Sequence, residues 1–156
     1  MNPLLLTDGY KTSHHQMYPK GTNSVYSNFT PRSVKYMDLK AKDIVVFGIQ
    51  YTMRYIHELY RDEFFNQPKE VVINEAKKYL SSYLGTDYDV KHFEKLHDLG
   101  YLPINVKGLE EGTISYEKIP ILTIYNTHPD FYWLPNFLET LISSLLWKPL
   151  HSALLS

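Results

Sequence analysis

The chain has 156 residues, enough for one domain with a substantial core. Its formal net charge of −1 gives no general attraction to nucleic acid or to a membrane surface, and neither is expected as a partner. The sequence contains no cysteine, which excludes disulfides and thiol nucleophiles, fits a reducing compartment and leads us to expect the cytoplasm.

The first part of the chain predicts a short helix and then a strand. Thr7 can cap the helix, with Asp8 favourably placed in its first turn, and residues 19–21 (PKG) end it. Residues 24–29 form a run of aromatic and β-branched residues that is typical of a strand. Residues 31–33 (PRS) break this run.

Three helices are expected next, after a short apolar run at residues 43–47. They are predicted at residues 49–60, from about Pro68 to Gly85, and at residues 90–99 before Gly100. Each shows apolar residues at helical spacing, and the second and third each stop at a glycine. The buried face of the second helix is expected to contain Val72, Ala76, Tyr79, Leu80 and Tyr83.

After residue 100 the pattern changes to a small β-rich unit with tight turns. Strands are expected at residues 102–109, 114–116 and 119–125, with a turn at residues 110–113. Glu110 and Glu111 precede a glycine in that turn. We therefore expect them to be solvated carboxylates rather than a general acid and base.

A final helix is expected over about residues 130–147. Pro135 lies inside it and predicts either a kink or a later start. The stretch is too short and too interrupted by polar residues to span a membrane. Residues 148–156 have the pattern of an element that continues, so we expect a partial chain; a frayed natural terminus is the alternative.

Common metal and phosphate motifs do not occur in the sequence. His14 and His15 are adjacent, and His92 and His97 are five residues apart, whereas metal-binding pairs on helices favour a spacing of four. We therefore expect no metal ligand in this chain. There is also no glycine-rich phosphate loop and no G-x-S-x-G motif.

Several segments, spread over the whole chain in a fixed order, together match one family. They are residues 5–11 (LLTDGYK) with His14, Tyr18, Pro19, 25–27 (VYS), Phe29 and Arg32; 46–51 (VFGIQY); 102–107 (LPINVK) with Glu111 and Gly112; and 126–129 (NTHP), 132–134 (YWL), Asn136, 138–140 (LET), Trp147 and Pro149. Their combination resembles the start of the nicotinamide phosphoribosyltransferases.

The resemblance implies an α+β fold, the N-terminal domain of a type II phosphoribosyltransferase with helices packed on a small, mostly antiparallel β unit. It assigns residues 1–156 to that domain, with the first barrel residues from about 150. The α/β barrel that follows in the family is absent from this sequence. In the family it supplies most phosphate contacts and the catalytic-site histidine, so the fragment alone is expected to be inactive.

The implied activity is a pentosyl transfer in NAD salvage. Nicotinamide attacks C1 of 5-phosphoribosyl 1-pyrophosphate, and nicotinamide mononucleotide and pyrophosphate are released. Mg²⁺ accompanies the phosphoribosyl pyrophosphate and is not bound by this fragment. The family's homodimers share their active sites between subunits. Two alternatives remain: the N-terminal domain of a nicotinate phosphoribosyltransferase, and a non-catalytic dimerisation module.

Three substrate-binding residues, and no catalytic residue, follow from the resemblance. Tyr10 stands where the family's tyrosine stacks on the pyridine ring in the partner subunit's site, and Asp8 beside it orders the site or hydrogen-bonds the substrate. Arg32 aligns with an arginine that contacts the mononucleotide phosphate across the dimer interface. Lys11 adds positive potential near the phosphates. Each residue has a structural alternative. Tyr10 would pack a helix, and Asp8 would be a charge at a helix N-terminus. Arg32 would be a surface arginine, and Lys11 a solvated lysine.

Four other residues of the matching segments are expected to have structural roles. Gly9 allows a close backbone approach beside Tyr10. Trp133, Asn136 and Glu139 are expected to pack and position the last helix beneath the barrel rather than to act in catalysis.

Overall fold

The computed structural model describes residues 1–32 and 43–154, with residues 148–154 described by their backbone alone. In this part of the chain, α-helices lie beside two small antiparallel sheets, and short 3-10 segments occur near the N-terminus and before the last helix. The fold class is therefore α+β, as predicted. Among the described residues, no helix is both long enough and apolar enough to cross a membrane.

The helices are α1 (Ile49–Tyr60), α2 (Lys69–Leu84), α3 (Lys91–Leu99) and α4 (Leu134–Leu154). The first three lie where the sequence predicts them. α2 and α3 end at Gly85 and Gly100, whose φ angles of 68° and 81° are left-handed. Glycine adopts this conformation without the steric cost of a side chain, so these two positions fix the ends of the helices.

A glutamate from a distant turn binds the start of α1. The Glu111 carboxylate accepts hydrogen bonds from the backbone N–H groups of Gly48 at 2.7 Å and Gln50 at 3.0 Å. The N–H groups of a first helical turn lack partners within the helix, and a negative charge is favourable there. The prediction of a merely solvated carboxylate is therefore wrong for Glu111, which ties the turn to α1.

The strands form two separate antiparallel sheets. They are β1 (Tyr26–Phe29), β2 (Asp43–Val45), β3 (Ile104–Gly108), β4 (Ile114–Tyr116) and β5 (Leu122–Asn126). β5 lies in the middle of the three-stranded sheet β1-β5-β3, and Ile124 stands opposite both Ser27 and Val106. β2 and β4 form the second sheet, with Ile44 opposite Ser115.

The sequence predicts residues 102–125 as one β unit, and this is wrong for β4. β4 leaves β3 and β5 and pairs with β2, which comes from the first third of the chain. The pairing continues past the strands, because the N–H of Val46 donates to the carbonyl of Thr113 at 2.8 Å and the N–H of Gly112 donates to Val46 at 2.7 Å. Local turn signals cannot reveal such a distant partner strand.

The core lies between the sheets and the helices. β5 turns Leu122, Ile124 and Asn126 inward. Trp133 is buried and packs edge-on against Phe93 and Phe137, with ring centroids 5.7 and 5.3 Å apart. The expected packing role of Trp133 agrees with this position.

The short N-terminal helix is present, but it begins differently from the prediction. It is a 3-10 helix over Gly9–Gln16, and the residue that precedes it is Asp8 rather than Thr7. The hydroxyl of Thr7 instead donates to the carbonyl of Phe137 in α4 at 3.0 Å. Thr7 therefore fastens the segment to α4 and does not cap it.

The buried face of α2 is narrower than predicted. Ala76 and Leu80 are buried as expected and Ile73 joins them, but Tyr79 and Tyr83 are 59% and 62% exposed. The ring of Tyr83 instead covers Gly9, and an aromatic ring with a polar tip suits such a half-exposed position.

The last helix starts later than residue 130, one of the two outcomes expected from Pro135. A 3-10 turn, Pro129–Phe131, precedes it, and α4 begins at Leu134. Pro135 therefore lies in the first helical turn, where its missing N–H has no bond to lose. The backbone remains helical to Leu154, so residues 148–154 continue α4 instead of starting a new element.

Candidate functional site

The segment Gly9–Gln16 presents two different sides. Lys11 and Thr12 are buried at 4% and 2% exposure, whereas Tyr10 is 61% exposed. The ring of Tyr10 contacts that of His14 edge-on, with centroids 5.2 Å apart, and the ammonium of Lys11 lies 5.7 Å from the Tyr10 ring centroid. The aromatic face of Tyr10 is thus held by its own segment and remains accessible to another molecule.

Asp8 is fixed in place by α4. The hydroxyl of Thr140 donates to Oδ2 of Asp8 at 2.7 Å, and the backbone N–H of Asp8 donates to the same hydroxyl oxygen at 3.1 Å. The Asp8 side chain is 45% exposed, and its Oδ1 has no hydrogen-bond partner among the side chains of residues 1–32 and 43–147. This oxygen is therefore oriented and available as an acceptor.

Lys11 is a buried cation bound by two carboxylates. Its Nζ lies 2.8 Å from Oε2 of Glu139 and 3.7 Å from Oδ2 of Asp8. Its side chain is 3% exposed, so neither a solvated lysine nor a freely available positive charge describes it. Lys11 instead holds Asp8 and Glu139 on the same side of the segment, and Glu139 is an ion-pair partner more than a packing residue.

Arg32 is exposed and lies beside a separate open cleft of about 790 Å³ between β1, β5 and α4. Lys118 lines the same cleft, and its backbone N–H donates to the carbonyl of Pro31 at 2.8 Å. Glu139 lines this cleft and also pairs with Lys11. Glu139 thus links the ion pairs of Lys11 and Asp8 to the cleft beside Arg32. The structure also adds Lys118, for which the sequence carries no motif.

Gly9 is needed because of a protein side chain. A Cβ atom built on Gly9 would lie 2.7 Å from Cζ of Tyr83, in the ring that covers this position. The close approach expected at Gly9 is therefore made by Tyr83 of α2.

Two histidines that are far apart in the sequence stack on each other. The rings of His15 and His92 lie 3.9 Å apart at an interplanar angle of 18°. Burial, followed by the neighbouring His15, lowers the pKa of His92 to about 3, and burial also lowers the pKa of His15. Both rings are therefore neutral at pH 7. Within the described residues, no group of three or more histidine and carboxylate side chains is arranged to hold a metal ion.

With this geometry established, the comparison with known families is decisive. Residues 2–106 match the family model described as nicotinamide phosphoribosyltransferase, N-terminal domain. The chain belongs to this family. The resemblance predicted from its motifs is thereby confirmed.

Two curated nicotinamide phosphoribosyltransferases are similar to the chain. The protein from Acinetobacter baylyi is 42% identical over 153 residues, which cover 95% of this chain and 30% of the relative. The protein from Xanthomonas campestris pv. campestris is 29% identical over 158 residues, covering 99% of this chain and 31% of the relative. The chain therefore spans about 30% of the length of the curated relatives it matches and corresponds to their N-terminal portion.

The fold also matches a solved structure. The crystal structure of human nicotinic acid phosphoribosyltransferase is similar with a TM-score of 0.66 at 20% sequence identity, over 96% of this chain and 27% of that chain. At this identity the likeness establishes the fold alone.

Proposed function

We propose that this chain is the N-terminal part of an enzyme that joins nicotinamide to 5-phosphoribosyl 1-pyrophosphate, giving nicotinamide mononucleotide and pyrophosphate. The observation that carries the proposal is the exposed ring of Tyr10 beside an oriented Asp8, in a chain of this family. The identity of 42% to a curated nicotinamide phosphoribosyltransferase supports the choice of nicotinamide.

In this proposal Tyr10 forms one wall of the nicotinamide site. A flat, neutral pyridine ring gains about 0.5–1.5 kcal/mol from stacking on an aromatic face, beyond the burial of its surface. Because Tyr10 is 61% exposed on its own domain, a second subunit can supply the opposite wall. A homodimer with shared active sites is therefore part of the proposal.

Asp8 and Arg32 take the polar parts of the substrates. The available Oδ1 of Asp8 accepts a hydrogen bond from the substrate, while Thr140 keeps the carboxylate oriented. The guanidinium of Arg32 binds phosphate, for which its planar fork and permanent charge are suited. Lys118 in the same cleft adds a second positive charge. These groups position substrates and stabilise charge, and the chain is not proposed to supply a catalytic acid or base.

Mg²⁺ neutralises the pyrophosphate charge when it arrives with phosphoribosyl pyrophosphate. The carboxylates near Tyr10 do not fit a resident ion, because Asp8 is bound to Thr140 and Glu139 is paired with Lys11. We therefore assign no metal ligand to residues 1–32 and 43–147. The cytoplasmic location stays a prediction.

A chimera tests the proposal. This chain would replace the aligned N-terminal portion of the Acinetobacter baylyi enzyme, and product formation would be measured with nicotinamide and nicotinate in competition. We expect nicotinamide mononucleotide to be the main product. A folded chimera without transferase activity contradicts the proposal and supports a non-catalytic module.

A further inference from the structure

The segment that carries Tyr10 has a conformation that needs external support. Gly9–Gln16 is a 3-10 helix of 8 residues. Runs of this kind longer than about four residues are uncommon, because their hydrogen bonds are poorly aligned. The internal bonds of the segment therefore do not explain its persistence, and contacts from the rest of the domain are required.

Two tyrosine hydroxyls from different parts of the chain bind the backbone of this segment. Tyr88, which precedes α3 and is 5% exposed, donates its hydroxyl to the carbonyl of Thr12 at 2.5 Å. Tyr132, which precedes α4, donates to the carbonyl of His15 at 3.0 Å. Both bonds hold main-chain atoms, so they fix the path of the segment itself.

The histidine stack acts at the same place. The carbonyl of Thr12 also lies 3.0 Å from Nδ1 of His15, and since a carbonyl can only accept, the ring proton is on Nδ1. The ring fixed in this way stacks on His92 of α3. We call this group the tyrosine–histidine clamp: Tyr88, Tyr132 and His92 contact the segment, and His15 is the residue of the segment that stacks on His92. Tyr10 stays exposed.

We propose that the tyrosine–histidine clamp positions Gly9–Gln16 so that Tyr10 is presented to nicotinamide. The inference rests on the proposed function for the role of Tyr10, but the clamp itself is a separate property of the domain. Tyr88 and Tyr132 are positioning residues, since they act through the backbone of the segment and do not reach the substrate.

Amide hydrogen exchange in the full chain tests the clamp. The variants are Tyr88→Phe and Tyr132→Phe, which remove only the hydroxyls, and Tyr101→Phe, a control whose side chain is exposed. The amides of Lys11 and Met17, which donate to the carbonyls of Asp8 and His14 at the two ends of the segment, should exchange about fivefold faster in each clamp variant. The control and the amides of α1 should not change. Unchanged exchange in the segment, or an equal increase in α1, overturns the inference.

Kinetics of the chimera separate the clamp from the proposed function. Tyr88→Phe should raise the KM for nicotinamide several-fold while kcat changes less than twofold, and Tyr101→Phe should change neither. A chimera that responds to Tyr10→Ala but not to Tyr88→Phe overturns the positioning role alone. One that is indifferent to Tyr10→Ala counts against the proposed function, and the exchange experiment then still decides whether the clamp exists.

Discussion

Tyr10 contributes little to the fold, because 61% of its surface is exposed. A surface substitution at such a position changes stability by less than about 0.5 kcal/mol. A substitution of Tyr10 therefore tests substrate binding without a large change in stability.

Replacing Tyr10 by alanine in the chimera should raise the KM for nicotinamide about tenfold, the factor that matches a stacking loss of about 1.4 kcal/mol. Tyr10→Phe should retain most of the affinity, since the aromatic face remains. Steady-state kinetics and a melting curve measure the two effects. Tyr101→Ala is the control, at 54% exposure. An unchanged KM in Tyr10→Ala would remove Tyr10 from the site.

Arg32 is expected to act on the phosphate-bearing substrate. Arg32→Ala should raise the KM for phosphoribosyl pyrophosphate about tenfold or more, because a hydrogen bond to a charged group contributes about 1.5–3 kcal/mol. The KM of Arg32→Lys should lie between those of the wild type and Arg32→Ala, since lysine keeps the charge but lacks the planar guanidinium fork. Arg54→Ala, at an exposed position of α1, is the control. Equal kinetics for the Arg32 and Arg54 variants would contradict the assignment.

At the scale of single elements, the start of α1 depends on a residue outside the helix. Glu111→Ala removes the acceptor of two helix N–H groups and should lower the free energy of unfolding by about 1 kcal/mol. Urea denaturation of the full chain measures this loss. The neighbouring Glu110→Ala is the matched control and should stay within about 0.5 kcal/mol of the wild type. Equal losses in both variants would show that the contact carries no specific stability.

The contact between the segment Gly9–Gln16 and α3 should weaken in acid. In the folded chain, burial lowers the pKa of His15 and brings that of His92 to about 3. Below the ordinary histidine pKa of 6.5, the unfolded chain therefore binds more protons at these two residues than the folded chain does. Stability is complete above about pH 6.5 and falls as the pH approaches 3. Asp89 opposes this effect, and Lys91 in the same groove adds further positive charge.

His92→Phe isolates this effect. The variant cannot be protonated at this position, so it should become more stable relative to the wild type as the pH is lowered from 7.5 to 5. Urea denaturation at several pH values provides the comparison. A stability difference that is independent of pH would contradict a role for the neutral histidine stack.

For the whole molecule, the matching relatives are about three times as long, since the chain covers 30% of the relative from Acinetobacter baylyi. In the proposed function, the described residues supply one wall of a site and an arginine for the phosphate, but no acid, base or metal ligand. The purified 156-residue chain should therefore form no nicotinamide mononucleotide from nicotinamide and phosphoribosyl pyrophosphate. Robust turnover by this chain alone would overturn both the proposed site and the need for a second domain.

The sequence by itself determined the family, the fold class and the positions of α1, α2 and α3. Local periodicity and glycines such as Gly85 and Gly100 set these helices. The family follows from sequence motifs that can be recognised without knowledge of tertiary contacts. The dimer, the roles of Asp8, Tyr10 and Arg32, and the domain boundary near residue 150 stay predictions.

Only the tertiary structure decided which distant groups meet. β4 pairs with β2, Glu111 binds the start of α1, Lys11 is buried against Glu139, and His15 stacks on His92. No periodic pattern in the sequence predicts these contacts. Each of them joins residues from distant parts of the chain and depends on how the helices pack on the sheets. Packing therefore turned a short N-terminal motif into a supported segment that presents Tyr10.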